Sequence, residues 1–333
     1  MKRLNLVVTC TKTKSLFPKD GFSIRDNRYR GLTLDDGWRA WKGSFDSKKS
    51  NCKTEVAKKL YKGPHWSSVS KLFAGSPNGG HLSIWVCSAG LGLISSNSYI
   101  PSYGATFSKG HPDSIWNFES ECKAGDVGRD WWNLLTSWKP YFASGPRSLA
   151  ELARDEPDVP VIVVGSAEYV KAMEDDLVSA KHELIDSKLL SIISCGTKSL
   201  LELNENLLPV ESRLRTHDRL RGPLLTLNMR VVVELIEASN STYTAPELQR
   251  HVRQLLNESE AQLPSYSERI SQTDNEIRAY ILSAFNTHKG AQRISRSKLL
   301  RQFRSKDNFK CSEDRFKRLY EDATADVERG NDG

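Results

Sequence analysis

The stretch Leu82-Ser-Ile-Trp-Val-Cys-Ser-Ala-Gly-Leu-Gly-Leu-Ile94 decides the fold class. Its first half is a short apolar run without clean alternation, the pattern of a strand covered on both faces. It runs straight into Gly90 and Gly92, where the missing Cβ lets a backbone approach a ligand closely. Three other runs share its texture: Leu4 to Thr9, Val159 to Val164 and Leu189 to Cys195. Helical patterns lie between them. Thr54 to Tyr61 opens on a threonine suited to an N-cap. In Asp130 to Trp138 the residues Trp131, Leu134, Leu135 and Trp138 share one face, and Glu168 to His182 follows the third strand. Strands alternating with helices predict an α/β fold with a central, mostly parallel sheet and flanking helices. Each of the four strands ends in small or polar residues. Ligands of open α/β sheets bind outside the carboxyl ends of the strands, so the four ends predict one crevice.

The texture changes after about residue 210. Helical patterns over 223–239, 245–257 and 275–285 follow without evident strands, and 259–273 is polar and serine-rich, as a linker would be. Between Lys289 and Arg318 there are eleven Lys or Arg against three acidic residues. The segments Ser295 to Ser305 and Ser312 to Glu321 read as amphipathic helices joined by Lys306-Asp-Asn-Phe-Lys-Cys311. That spacing suits docking on duplex phosphates, and it equally suits a solvated basic hairpin. The chain is predicted to divide into 1–240, an α/β domain, and 241–333, a basic all-helical extension.

With 333 residues and a net charge of +7, the composition favours a polyanionic partner. No apolar run approaches membrane-span length, and the N-terminus enters a strand-like run without a signal-peptide pattern, so a cytoplasmic protein is expected. The six cysteines are scattered without a C-x-x-C pair, which predicts neither a structural metal nor a disulfide framework.

Four clusters can carry chemistry. Cys10-Thr-Lys-Thr-Lys14 follows the first strand, where backbone N–H groups, the Thr11 hydroxyl and Lys14 can hold a phosphate; the glycines of a P-loop are missing. The loop after Gly92 carries Tyr99, Tyr103 and Phe107 every four residues. Pro101 and Gly104 argue against a helix there, so these aromatics read as a platform for an extruded base or as packing for the loop itself. In His111-Pro-Asp-Ser114, Asp113 is either a helix cap or a carboxylate able to stabilise a developing sugar cation, with His111 facing the ligand. Finally, Arg213-Leu-Arg-Thr-His-Asp-Arg-Leu-Arg221 is dense in charge. If extended, it would aim alternate side chains at phosphates, with Arg215, His217, Arg219 and Arg221 as the contacts. Asn228 can reach the same crevice from the following helix.

Cys10-x-x-x-Lys14 after the first strand, together with the later Ser-Ala-Gly-Leu-Gly-Leu-Ile strand end, resembles a branch of the uracil-DNA-glycosylase-like superfamily related to the archaeosine synthase core. Within it, the likeness is greatest to antiviral DNA glycosylases that excise glucosylated hydroxymethylcytosine from phage DNA. The resemblance covers roughly residues 1 to 235. Thr9 stands where archaeosine synthase has Pro, and Ser15-Leu16 replace its Pro-Tyr. The Gly-Gln-Asp-Pro-Tyr-His and His-Pro-Ser-Pro motifs of uracil excision are absent, so uracil is not the expected base. The resemblance implies an enzyme that hydrolyses N-glycosyl bonds in DNA with no cofactor. It carries over no catalytic group by motif; on physical grounds alone Asp113 would stabilise the sugar cation, and Tyr99, Tyr103, Phe107, His111 and Asn228 would line the base pocket. Cys10, Thr11, Lys14, Gly90, Gly92, Arg215, His217, Arg219 and Arg221 would meet the DNA backbone. Base exchange or group transfer on a deazaguanine-type nucleoside, or DNA binding without catalysis, would use the same features differently.

Overall fold

A computed structural model describes residues 3–47, 52–73, 81–119, 127–197, 199–238, 243–260, 270–287, 294–305 and 309–331. In the first half of the chain the elements are β1 (Arg3–Thr9), α1 (Leu34–Ser47), β2 (Thr54–Val56), α2 (Ala57–Leu60), α3 (Pro64–Leu72), β3 (His81–Ser88), β4 (Gly92–Ser95), β5 (Tyr99–Pro101) and α4 (Val127–Ser137). There follow α5 (Leu149–Asp155), β6 (Val161–Val164), α6 (Ala167–Ala172), α7 (Glu174–Glu183), β7 (Leu190–Ile193), α8 (Leu227–Ala238) and α9 (Ala245–Asn257). The last part holds β8 (Ile270–Ser271), α10 (Asp274–Thr287), α11 (Arg296–Ser305), β9 (Phe309–Lys310) and α12 (Glu313–Asn331).

The four predicted strands form β1, β3, β6 and β7, all parallel, and β4 adds an antiparallel edge to give the order β4-β3-β1-β6-β7. They pair because each is apolar on both faces: Leu6, Val7, Val8, Ile162, Ile192 and Ile193 are inaccessible to solvent. From β1 the chain crosses to β3 on one side and later to β6 on the other, so the strand order reverses at β1. That is the topological switch point, and it puts the carboxyl end of β1 at the mouth of the crevice.

Three sequence expectations change at this level. Thr54 does not cap a helix. It opens β2, which pairs antiparallel with β5, and the helical turn begins only at Ala57. Gly90 and Gly92 form the tight turn between β3 and β4 instead of facing a ligand. Ser88 Oγ accepts the N–H groups of Gly90 (3.3 Å) and Leu91 (2.9 Å), and Gly92 takes φ +72°, which a side chain rarely adopts. A Cβ on Gly90 would stand 2.5 Å from the Tyr103 ring. Finally, the arginine-rich run is two 3₁₀ turns, Ser212–Thr216 and Asp218–Leu220, and is not extended.

The chain divides into two compact units, Met1–Leu263 and Pro264–Gly333. The boundary therefore falls after α9, not at 240: Leu248, Val252 and Leu255 of that helix join the core of the first unit. The second unit has its own core, with Ile277, Ile281, Leu299, Phe303 and Phe316 at its centre. It is not purely helical, because β8 and β9 pair in parallel through Ile270 with Phe309 and Ser271 with Lys310. Cys122, residues 261–269 of the predicted linker and the joint 306–308 lie outside the described residues.

Candidate active site at the sheet's carboxyl edge

The site is built where β1 ends. Cys10 N–H donates to Cys87 O (3.0 Å), continuing the β1–β3 ladder by one residue, and the chain then leaves the sheet. The loop that follows is held against the segment before α3: Ser15 N–H donates to Leu60 O (2.7 Å) and Lys62 N–H to Thr13 O (2.9 Å). This turns Lys14 inward. Its Nζ donates to Thr11 O (3.0 Å) and lies 4.3 Å from the Tyr103 ring centre, with Tyr61 behind. Burial lowers the Lys14 pKa against the opposing pull of Cys10 and Asp113.

A second wall comes from β6 and α8. Asn228 Nδ2 donates to Gly165 O (2.8 Å), and its Oδ1 accepts from Cys195 N–H (2.9 Å). One amide thereby stitches the carboxyl ends of β6 and β7. Tyr169, on the first helical turn after β6, meets Cys10 Sγ through its hydroxyl at 3.2 Å.

The third wall is the loop from 104 to 114. Gly104 N–H donates to Phe22 O (2.7 Å) and Thr106 N–H to Asp113 O (3.0 Å), so the loop folds back on itself. Gly104 leaves room for the carboxylate, since a Cβ there would lie 3.0 Å from Asp113 Cγ. Asp113 is buried, and Arg25 grips it bidentately, Nε donating to Oδ1 (2.8 Å) and Nη2 to Oδ2, with the Arg25 backbone N–H on Oδ1 at 3.2 Å. Burial alone would raise its pKa. The hydrogen bonds and charge of Arg25, assisted by His111, outweigh burial and hold the carboxyl below its ordinary value. Asp113 is not a cap: Ser114 Oγ accepts Trp116 N–H at the start of the 3₁₀ turn Ile115–Asn117. His111 Nδ1 accepts the Asp113 backbone N–H (3.0 Å), which leaves its proton on Nε2. Burial, with Lys12 nearby, lowers its pKa and keeps it neutral near pH 7.

The three walls enclose a cavity of about 380 Å³, lined by Cys10, Thr11, Lys14, Thr106, His111, Asp113 and Asn228 among others. The remaining residues expected at the site lie elsewhere. Tyr103 and Phe107 are buried behind the cavity: Tyr103 under Lys14, Phe107 edge-on to Tyr169 at 4.9 Å. Tyr99 sits on β5 with 63% of its surface exposed, away from the lining. The arginine-rich turns also fall outside the lining. There His217 is buried and bonds Glu258 (3.0 Å), Arg219 pairs with Glu234 (2.6 Å), Arg221 with Asp218 (3.0 Å), and Arg215 turns back to Ser212 O (3.2 Å).

Sequence reasoning missed Arg25, His65, Tyr61 and Tyr169. Arg25 has no local signal, because its partner is 88 residues away. His65 had one: Gly63-Pro64 marks a helix start at α3, and the residue after it is fixed on the first turn. Among the described residues no cluster of three or more His, Cys, Asp or Glu could hold a metal ion, and no helix is long and apolar enough to cross a membrane. No family model, curated protein or solved structure matches the chain.

Proposed function

We propose that the protein is a DNA glycosylase that opens the N-glycosidic bond of a bulky modified cytosine, glucosylated hydroxymethylcytosine in phage DNA, and leaves an abasic site. The observation that carries this reading is a buried carboxylate kept ionised inside a cavity that also holds a half-buried amine. Breaking a base–sugar bond places positive charge on the sugar and negative charge on the departing base. Asp113 and Lys14 offer the two opposite charges, and burial strengthens both.

The roles follow from the bonds. Asp113, gripped by Arg25 and held below the ordinary carboxylate pKa, is a poor proton acceptor; its part is to stabilise the sugar cation electrostatically and orient water. Lys14 spends one N–H on Thr11 O and faces an aromatic ring with its charge. A further N–H can meet the oxygen of the leaving base, and the lowered pKa makes it a better acid. As the bond breaks, its electrons pass to the base. Water adds to C1′, and its released proton goes to solvent. A cavity of about 380 Å³ exceeds the needs of a bare pyrimidine and lies within the range of ligand pockets, roughly 300–1,000 Å³. Leu225 lines the cavity yet is 82% exposed, the type of apolar side chain that fills the gap left in a duplex by an extruded base.

The test is Asp113→Asn, which keeps the shape and removes the charge. Base release from glucosylated phage DNA should fall about 10²- to 10³-fold while DNA binding persists. Release at the parental rate by a folded variant would remove Asp113 from the chemistry. Cys10 and Lys14 are also the groups on which base exchange would form a covalent adduct, so a mass increase of the denatured protein after reaction would replace hydrolysis with transfer.

A further inference from the structure

The ionised lining of the cavity is unbalanced. Among the described residues it holds three lysines, Lys12, Lys14 and Lys62, against one carboxylate, and that carboxylate, Asp113, is already matched by Arg25. Lys14 is half-buried and spent on Thr11 O and the Tyr103 ring. Lys12 and Lys62 differ from it: both are exposed, and neither ammonium has an ion pair or a hydrogen bond among the described residues. Their backbones are held in place. An antiparallel bridge pairs Lys14 with Tyr61, Lys62 N–H donates to Thr13 O (2.9 Å), and Thr11 Oγ1 donates to the same carbonyl (3.0 Å). The two lysines therefore stand on segments tied to each other at the carboxyl end of β1. The arginine-rich turns are the contrast, since Arg213, Arg219 and Arg221 each pair with an acid. Like charges gathered at one mouth repel, and nothing in the free protein offsets them. A cleft lined by one sign of charge focuses its field and draws in a guest of the other sign.

We propose that Lys12 and Lys62 form a phosphate rim, binding the backbone phosphates that flank the nucleotide whose base enters the cavity. The site then takes a nucleotide within a strand in preference to a free nucleoside. This rests on the nucleobase reading of the cavity and adds what lies outside the base pocket. The division of labour follows from exposure. A lysine in water meets a phosphate oxygen as a point charge on a flexible stem and needs no fixed geometry. Lys14, held by a carbonyl and an aromatic ring, offers its charge at one place only, inside the pocket. Phosphates at the rim neutralise the mouth and release their own counterions, which makes this part of the binding sensitive to salt.

The test is binding, measured by isothermal titration calorimetry on the full-length protein at several salt concentrations. The probe is a single-stranded trinucleotide with glucosylated 5-hydroxymethyldeoxycytidine at its centre, carrying a 2′-fluorine that disfavours the sugar cation and stops turnover. A second probe has the same bases, with both phosphates replaced by uncharged methylphosphonates. The charged trinucleotide should bind about tenfold or more tighter at low salt, and the gap should close as salt rises. The double exchange Lys12→Gln and Lys62→Gln should remove most of the gap and leave the uncharged probe bound as before. It should also lower the slope of log K against log salt by roughly 1.4, about 0.7 for each single-strand contact. Equal binding of the two probes by the parent protein overturns the proposal. So does a gap that survives in a double variant of unchanged melting temperature. If the 5′-monophosphate of the same nucleoside binds as tightly as the charged trinucleotide, the guest is a free nucleotide and the backbone assignment falls. A lysine-dependent gap that is identical with thymidine at the centre, with no base release from glucosylated phage DNA, would keep the rim and remove the glycosylase reading instead.

Discussion

Lys14 holds its ammonium in a place where a charge is expensive. It has one carbonyl and an aromatic face for company, and no carboxylate among its hydrogen-bond partners. Because burial lowers its folded-state pKa below 10.5, the unfolded chain holds the proton more readily, and the charged lysine subtracts from stability at neutral pH. Lys14→Met should therefore leave the melting temperature unchanged or higher while base release is lost, a division that thermal denaturation and an excision assay resolve. A drop in melting temperature would mean that the ammonium is a structural tie. His65 gives the complementary pH effect. Its folded pKa of about 4 lies below the ordinary 6.5, so between these values the unfolded chain takes up a proton that the folded chain refuses. Stability is full above about pH 6.5 and falls as pH drops toward 4, by on the order of 3 kcal/mol at most. Urea unfolding at pH 7 and pH 5 should show a smaller difference in His65→Phe than in the parent; equal differences would mean that His65 titrates normally.

At the scale of elements, the β3–β4 hairpin supports the site from behind without lining it. Its turn N–H groups bind Ser88 Oγ, Ser88 donates to the Tyr103 hydroxyl (2.5 Å), and Tyr103 meets Tyr61 (2.9 Å), giving the aromatic floor under Lys14. Gly90→Ala would drive a methyl into the Tyr103 ring and within 3.0 Å of Trp41, both fully packed. Overpacking of this type costs about 1–3 kcal/mol, so the urea midpoint should fall, and excision should fall with it as the floor under Lys14 tilts. A variant as stable and active as the parent would show that the hairpin yields freely. The hairpin also marks what the sequence discloses. The four parallel strands were legible because burial on both faces writes itself into a local run of Val, Ile and Leu. The glycines stood out for the same local reason, but their purpose, admitting Tyr103, lies in a contact across the fold. Thr54 read as a cap because its β5 partner is more than forty residues away. The grip of Arg25 on Asp113 was illegible on the same ground, and the arginine run looked like a clamp because Glu234 on α8, the partner of Arg219, and Glu258 just past α9, the partner of His217, come later in the chain.

For the molecule as a whole, the charge of +7 is better judged by which cations are unspent. In the first unit Arg3, Arg25, Arg154 and Arg219 are all paired with acids. In the second unit Arg278 pairs with Asp326, Arg296 with Glu321, and Arg315 and Arg318 share Asp274. These pairs brace α10 against α12 and α11 against α12, which is structural work. Lys298 and Arg301 on α11 are different: both are exposed, three residues apart, and without an ion-pair partner among the described residues. Three residues along a helix put two side chains on one face, so the free charge of α11 is directional. If this unit meets DNA, that face is the electrostatic contact. Exchanging both for glutamate in the full-length protein should weaken duplex binding and flatten its salt dependence. Each lost phosphate contact lowers the slope of log K against log salt by about 0.9, so two should lower it by roughly 2. Fluorescence anisotropy across a salt series measures this directly. The core under α11, built on Leu299, Leu300 and Phe303, is untouched by the exchange, so the fold of the unit should hold. An unchanged slope would locate the phosphate contacts on other cations and leave α11 as a solvated face.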